Sequence, residues 1–259
     1  MTVVRARGST PQRAGAKMLV FADGRTVGTI GGGCYENEAS LKAREVIESG
    51  QQALLHFELN DDFAQENGLI CGGQMDVHVD PLEPAPRLYI IGAGHVGWYL
   101  ARLAGEMDYR VHIIDDREKF ASADRFPGAE EVVVEPLADW LHRAEIPASA
   151  YVVIVTRGHQ GDLEAMRALA ARDLKYLGLI GSRAKVARIR AALTEEGMPI
   201  ECLNRVHSPI GLDIGAVTPA EIAVSILAEL IAVKHGKFTT RSADDLSMKW
   251  TPPASRPVV

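Results

Sequence analysis

At 259 residues the chain is long enough for one large domain or two smaller ones, and 47% hydrophobic with 24% charged residues lets it bury a core rather than stay disordered. A formal net charge of −6, without a Lys/Arg-rich block or an aromatic-studded basic stripe, lacks the electrostatic footprint of a nucleic-acid binder. No apolar run approaches the roughly 18 residues of a membrane span and no signal-peptide pattern opens the chain, so a cytoplasmic protein without a membrane partner is expected.

From Thr2 the chain offers short β-type runs, VVRARG, AKMLVFA and RTVGTIG, broken by Gly, Pro and Asp-Gly as in an antiparallel or mixed β-rich unit. Residues 36–49, ENEASLKAREVIES, place Ala39, Ala43, Val46 and Ile47 at helical spacing and stop at Gly50. Directly before this helix stand Gly31, Gly32, Gly33 and Cys34. A thiol delivered to a helix start meets N–H groups that have no intrahelical partner and stabilise a thiolate, and the glycines let a bulky ligand approach the backbone. QALLHFEL and MDVHVD complete the strands, and between them Cys71 heads a second Cys-Gly-Gly junction.

Three cysteines are an odd, sparse set that argues against a disulfide framework. Two Cys-Gly junctions in one short domain point to ligand-contacting or sulfur-handling thiols at Cys34 and Cys71. The ordinary reading, a small buried hydrophobe, fits Cys202. A zinc site with His56 and His78 is disfavoured, because the sequence has no C-x2-C or H-x3–5-H pair.

DPLEPAPR, residues 80–87, carries three prolines in eight residues and reads as a linker. The expected organisation is a small β-rich α+β domain over residues 1–83, a Rossmann-like α/β domain over 87–236 and a flexible tail over 237–259. A unit as short as the first is near the lower limit for independent stability and is expected to lean on the second domain or on another subunit.

From residue 87 the pattern becomes strand, turn and helix, repeated. RLYIIGAGHVGWYLARLAGEM, YRVHIIDD, EEVVVE, AYVVIVTRGHQGDLEAMRALAARD and KYLGLIGSRAKVARIRAALTEEG follow in order. Near-continuous apolar strands alternating with helices predict a parallel sheet covered on both faces. GAGHVG, residues 92–97, fits G-x-G-x-x-G between a strand and a helix that His95 enters. Gly92 allows the tight turn, Gly94 lets a phosphate approach and Gly97 lets helix pack on strand. Asp115, 23 residues after Gly92, is near the spacing of the acid that holds a ribose 2′-hydroxyl. Two readings stand for the turn: a nucleotide or pterin-phosphate ligand, or packing alone.

TRGHQGD and GSRAK end the fourth and fifth strands, so Thr156, Arg157, His159, Asp162, Ser182, Arg183 and Lys185 gather at the carboxyl edge, where open sheets bind ligands. His159 reads as a general acid or base, or equally as a loop hydrogen-bonder. Arg183 and Lys185 fall at a helix start, which the helix dipole disfavours unless an anion is present. In TPAE, Thr218 caps a last helix, Pro219 suits its first position and Glu221 reaches back as a capping box. That helix is apolar nearly all round, so it is buried against the sheet or a partner, and a homodimer is expected.

The blocks VVRARGSTPQRAGAKMLV, GTIGGGCYENEA, CGGQMDVHVDP, YIIGAGHVG, HIIDDREKFA, VTRGHQGDLEAMRAL, YLGLIGSRAKVARIRAAL and HSPIGLDIGAVTPAEIAVSILAELIA resemble, in order, the XdhC/CoxI family of molybdenum-hydroxylase accessory proteins. The resemblance implies a chaperone rather than an enzyme. Such a protein binds the molybdenum cofactor (molybdopterin, with a phosphate or nucleotide tail) and holds it while a cysteine desulfurase installs the terminal sulfur. It then passes the cofactor to an apo molybdenum hydroxylase of the xanthine, aldehyde or CO dehydrogenase type. Carried over by motif, the implied contacts are Gly31–Cys34, Cys71–Gly73 and Gly92, Gly94 and Gly97, with Cys34 facing molybdenum or its sulfur, which a soft thiolate suits. Family members carry a helical stretch ahead of the first strand that this chain does not show, so a truncated start is expected, and the tail after Gly236 matches no family block. The alternative, an NAD(P)-dependent oxidoreductase using the turn, Asp115 and His159, leaves Cys34 and Cys71 unexplained. A third reading is an interaction subunit whose glycine turn takes no ligand.

Overall fold

The computed structural model describes residues 1–58, 73–82 and 84–237. Cys71 and residues 238–259 therefore lie outside the described residues. The chain divides into two compact units, Met1–Pro84 and Ala85–Val259.

In the first unit, strands β1 (Thr2–Arg7), β4 (Ala53–Glu58) and β5 (Gln74–Val79) form an antiparallel sheet in the order β1-β5-β4. Strands β2 (Met18–Val20) and β3 (Thr26–Gly28) form a two-stranded antiparallel ribbon, and helix α1 (Gly33–Ser49) supplies the second layer. Alternate residues of β5, Met75, Val77 and Val79, are buried in one core with Tyr35, Ala39, Ala43 and Val46 of α1. That helix stripe differs from the expected one at both ends. Tyr35 belongs to it because the helix starts three residues earlier than the apolar spacing indicates, and Ile47 is exposed.

The second unit is a doubly wound sheet. Strands β6 (Arg87–Ile91), β7 (Arg110–Ile114), β8 (Glu131–Val133), β9 (Tyr151–Ile154) and β10 (Tyr176–Leu179) are all parallel, in the order β10-β9-β6-β7-β8. The helices are α2 (His95–Gly105), α3 (Leu137–Arg143), α4 (His159–Leu169), α5 (Arg183–Glu195), α6 (Ile200–Asn204) and α7 (Pro219–Lys234). Successive side chains of a strand point to opposite faces, so an all-apolar strand supplies two cores at once. Leu88 and Ile90 of β6 pack with Leu100 and Ala104 of α2 and with Ile226 and Leu230 of α7. Tyr89 and Ile91 pack with Trp140 of α3, Met166 of α4 and Ile189 of α5.

This is the Rossmann-like α/β architecture expected from the alternation of elements. The chain winds outward in both directions from β6, so the switch point lies between β6 and β9, where open parallel sheets bind ligands. Helix α7 carries the expected capping box. Thr218 Oγ1 accepts the Glu221 N–H at 3.3 Å, and the Glu221 carboxylate accepts the N–H groups of Thr218 and Val217 at 2.8 and 2.9 Å. Its apolar surface is covered largely within the chain, by α2 and the sheet.

Candidate functional site

The three glycines of the β6–α2 turn differ in their surroundings. Gly92 has φ +119°, and a Cβ placed there would lie 2.4 Å from the Val155 carbonyl oxygen. A Cβ on Gly97 would lie 2.0 Å from the Gly92 oxygen, so only glycine lets α2 sit this close to the turn. Gly94, at the N-cap, has no heavy atom within 4 Å of its would-be Cβ and no side chain capping the helix. Open space at a helix start with unsatisfied N–H groups suits a phosphate.

Asp115, at the end of β7, is buried and committed. Its Oδ2 accepts the Ala93 N–H at 2.8 Å and Arg117 Nη2 at 2.7 Å, while Oδ1 accepts Arg117 Nε at 2.7 Å and the Arg117 N–H at 3.1 Å. Burial alone would raise its pKa, but the guanidinium and the two backbone donors outweigh that and hold it below the ordinary carboxylate value. Through these bonds Asp115 ties the glycine turn to β7. Arg117 is held in place by its guanidinium carbon lying 3.9 Å from the Phe120 ring centroid.

Above the carboxyl ends of β6, β7 and β9 lies a cavity of about 350 Å³, lined by Gly92, Asp115, Asp116, Arg157 and Gly158 among others. Arg157 reaches across it, its Nη2 lying 3.2 Å from Asp116 Oδ2. His159 is exposed at the start of α4 and is not among the lining residues. His95 faces the other side of the turn, at one end of a groove of about 930 Å³ that runs along α2 past Trp98 and Tyr99.

Lys185 needs no external anion. Its ammonium pairs with the carboxylate of Asp162, which is 0% exposed and also accepts Thr156 Oγ1 at 2.6 Å. The conflict at the start of α5 is thus relieved by the chain's own carboxylate. Ser182 caps α5 by accepting the Lys185 N–H at 3.3 Å, and Arg183 lines a separate cavity of about 290 Å³ beside residues 209–216. The cluster expected at the carboxyl edge therefore divides. Gly92, Asp115 and Arg157 share one cavity, Arg183 lines another, and Ser182 is the cap of α5.

In the first unit, Gly31, Gly32 and Gly33 all have positive φ, 129°, 75° and 77°. Their turn wraps a carboxylate that the sequence did not single out. Glu36 Oε2 accepts the N–H groups of Ile30 and Gly32 at 3.0 and 2.8 Å and the Thr29 hydroxyl at 2.6 Å. Burial opposes the charge on Glu36, yet these donors keep its pKa below the ordinary value. A would-be Cβ on Gly31 meets Pro11 at 2.7 Å, whereas one on Gly32 meets nothing within 4 Å. Of these two, Gly32 leaves the space a ligand needs. Cys34 is half-buried in the first turn of α1. The signal for Glu36 was present as an acid in the first turn of a predicted helix.

A second buried polar cluster was also unforeseen. Glu229, 0% exposed on α7, accepts the Tyr176 hydroxyl at 2.6 Å and the Gly211 N–H at 2.8 Å, and lies 3.3 Å from His207 Nδ1. It fastens the segment before α7 to β10. Burial would raise its pKa, but His207, Tyr176 and Gly211 hold it low. A single acid at a core position of an otherwise apolar helix was its only trace in the sequence.

A family model described as the XdhC Rossmann domain matches residues 88–230, and one described as the XdhC and CoxI family matches residues 1–58. The uncharacterized protein YqeB of Escherichia coli is 35% identical over 234 residues, which cover 90% of this chain and 43% of YqeB. The chain thus spans less than half the length of that relative. A Bacillus subtilis protein named as a probable xanthine dehydrogenase subunit is 24% identical, over 90% of this chain and 92% of that protein. The molybdenum cofactor insertion chaperone PaoD of Escherichia coli is 24% identical, over 90% of this chain and 82% of PaoD. A crystal structure described as a xanthine dehydrogenase from Bacillus halodurans shares the fold, with a TM-score of 0.54, 24% identity and 93% of each chain covered.

Proposed function

This chain belongs to the XdhC and CoxI family, and from that premise we propose that it is an accessory protein that binds the molybdenum cofactor as cargo and delivers it to a xanthine-dehydrogenase-type hydroxylase. The observation that carries the reading is the open backbone at Gly94, flanked by Gly92 and Gly97, which are crowded by the protein itself. Such a turn suits the phosphate or nucleotide tail of a pterin cofactor. Cys34, in the first turn of α1 beside the open face of Gly32, is the proposed contact to the metal-sulfur end, with Cys71 as a second thiol of the same kind. The relative named as a molybdenum cofactor insertion chaperone supports the reading.

A cysteine desulfurase that installs the terminal sulfur and a second copy of the chain are the further partners of this proposal. The role is accessory rather than catalytic. His159 is not among the residues lining the cavity at the turn, which supports the accessory reading over a nicotinamide-dependent oxidoreductase.

The test is retention and transfer. The full chain is incubated with purified molybdenum cofactor and gel-filtered. Bound molybdenum is then counted by mass spectrometry, and the complex is offered to an apo xanthine dehydrogenase. Near-stoichiometric molybdenum and gain of hydroxylase activity are expected, and a chain that emerges without molybdenum contradicts the proposal.

A further inference from the structure

Strands β7 and β8 are parallel neighbours, yet the crossover between them, residues 115–130, contains no helix. Parallel strands are usually joined through a helix, and here one would cover the flank of α2. Instead Ala121 and Phe126 pin the crossover into the core beside Leu100 and Ala104, and the space left over is the groove of about 930 Å³. It follows α2 from His95 to Glu106, about 16 Å at the rise of a helix, with Ala101, Val111 and Phe126 among its lining.

Hydrogen bonds join this groove to the glycine turn. Arg125 Nη1 donates to the Ala93 carbonyl at 3.2 Å and to the Phe120 carbonyl, and Trp98 Nε1 donates to the Arg125 carbonyl at 3.1 Å. The half-buried indole is thereby held in one orientation, with the Tyr99 ring edge-on at 4.8 Å. A fixed aromatic face suits a flat ring. The side chains of His95, Arg102, Glu106 and Asp124 line the same groove and make no hydrogen bond or ion pair among the described residues. Carboxylates that accept and a guanidinium that donates match a flat heterocycle whose edge carries both N–H groups and a carbonyl. A wholly apolar occupant would strip water from those groups and return nothing.

Resting on the reading of the Gly94 turn as a phosphate site, we propose that the groove along α2 takes the pterin ring system of the same ligand. The ring stacks on Trp98, Asp124 accepts from its amino-pyrimidinone edge, and Arg102 donates to its carbonyl.

Gly128 supplies a plug for the test. It lines the groove, a Cβ placed on it would meet no heavy atom within 4 Å, and its φ is not in the left-handed region. Gly128→Leu is therefore expected to fold and to fill the groove. The full chain, Gly128→Leu, Asp124→Asn and Trp98→Leu are titrated calorimetrically with neopterin monophosphate, neopterin and glycerol 3-phosphate, and pterin fluorescence is followed. The full chain is expected to bind neopterin monophosphate at least about tenfold more tightly than glycerol 3-phosphate, with the fluorescence quenched by the indole. Gly128→Leu is expected to lose that preference while keeping its affinity for glycerol 3-phosphate, and Asp124→Asn to reduce it. Trp98→Leu is expected to lose the quenching.

No binding of neopterin monophosphate, no preference for it, or a preference that Gly128→Leu and Asp124→Asn both keep overturns the proposal. Neopterin bound as tightly as its monophosphate, and lost in Gly128→Leu, supports the groove and contradicts the phosphate reading of Gly94. A dimer that dissociates in Gly128→Leu with pterin affinity unchanged gives the groove to a second copy of the chain and overturns the proposal. Retention of molybdenum cofactor by Gly128→Leu at the level of the parent overturns it too and leaves the accessory function standing. A parent that retains no cofactor, yet binds neopterin monophosphate in a way Gly128→Leu abolishes, does the reverse.

Discussion

At the residue scale the glycines of the two turns separate space kept for a ligand from space used by the protein. Gly94 has φ −68° and open surroundings, so Gly94→Val is expected to fold with little change in melting temperature and to lose ligand affinity. Titration of variant and parent checks this, and equal affinity would make the turn purely structural. Glu36 gives a pH prediction. Its folded-state pKa lies below the ordinary 4.5, so its stabilising effect is complete above that value and is lost as pH falls through the lowered folded value. Glu36→Gln is expected to cost about 1 kcal/mol near neutral pH after solvent screening, and to flatten the pH dependence of the melting temperature below about 4.5. The motif made the steric roles of Gly92 and Gly97 legible. It left the partners of Asp115 illegible, because a bidentate bond from the residue two positions on depends on how the chain turns after β7.

At the scale of the elements, caps and apolar strands were the clearest signals. Thr218, Pro219 and Glu221 act locally, within one turn of α7, so three residues sufficed to predict its start. The start of α1 was read three residues late. Glycines predict a break, whereas here their positive φ values end at Gly33 and the helix begins there, stabilised by Glu36. The polar clamps between elements were hidden because their partners are distant in sequence. Asp162 with Lys185 joins α4 to α5, and Glu229 with Tyr176 joins α7 to β10. Lys185→Met removes the cation from a fully buried carboxylate and is expected to cost about 3–5 kcal/mol, measured by denaturant unfolding. Restoration by a second change, Asp162→Asn, is expected to be partial, and no loss in the single variant would mean that Asp162 finds another donor.

At the scale of the whole molecule, the five-stranded parallel sheet followed from alternation alone, because apolar strands buried on both faces admit few other arrangements. The pairing of strands in the first unit was less legible, since β2 and β3 have only three residues each and carry little pattern. No helix among the described residues is long and apolar enough to cross a membrane. The central claim is that the proposed binding of the molybdenum cofactor depends on the Cys34 thiol and on the open turn at Gly94. Calorimetric titration of the full chain with molybdenum cofactor, repeated on Cys34→Ala and Gly94→Val, tests it most directly. The account predicts saturable binding that each substitution weakens at least tenfold, about 1.4 kcal/mol. Binding of NAD(H) but not of the molybdenum cofactor, indifferent to Cys34, would contradict it.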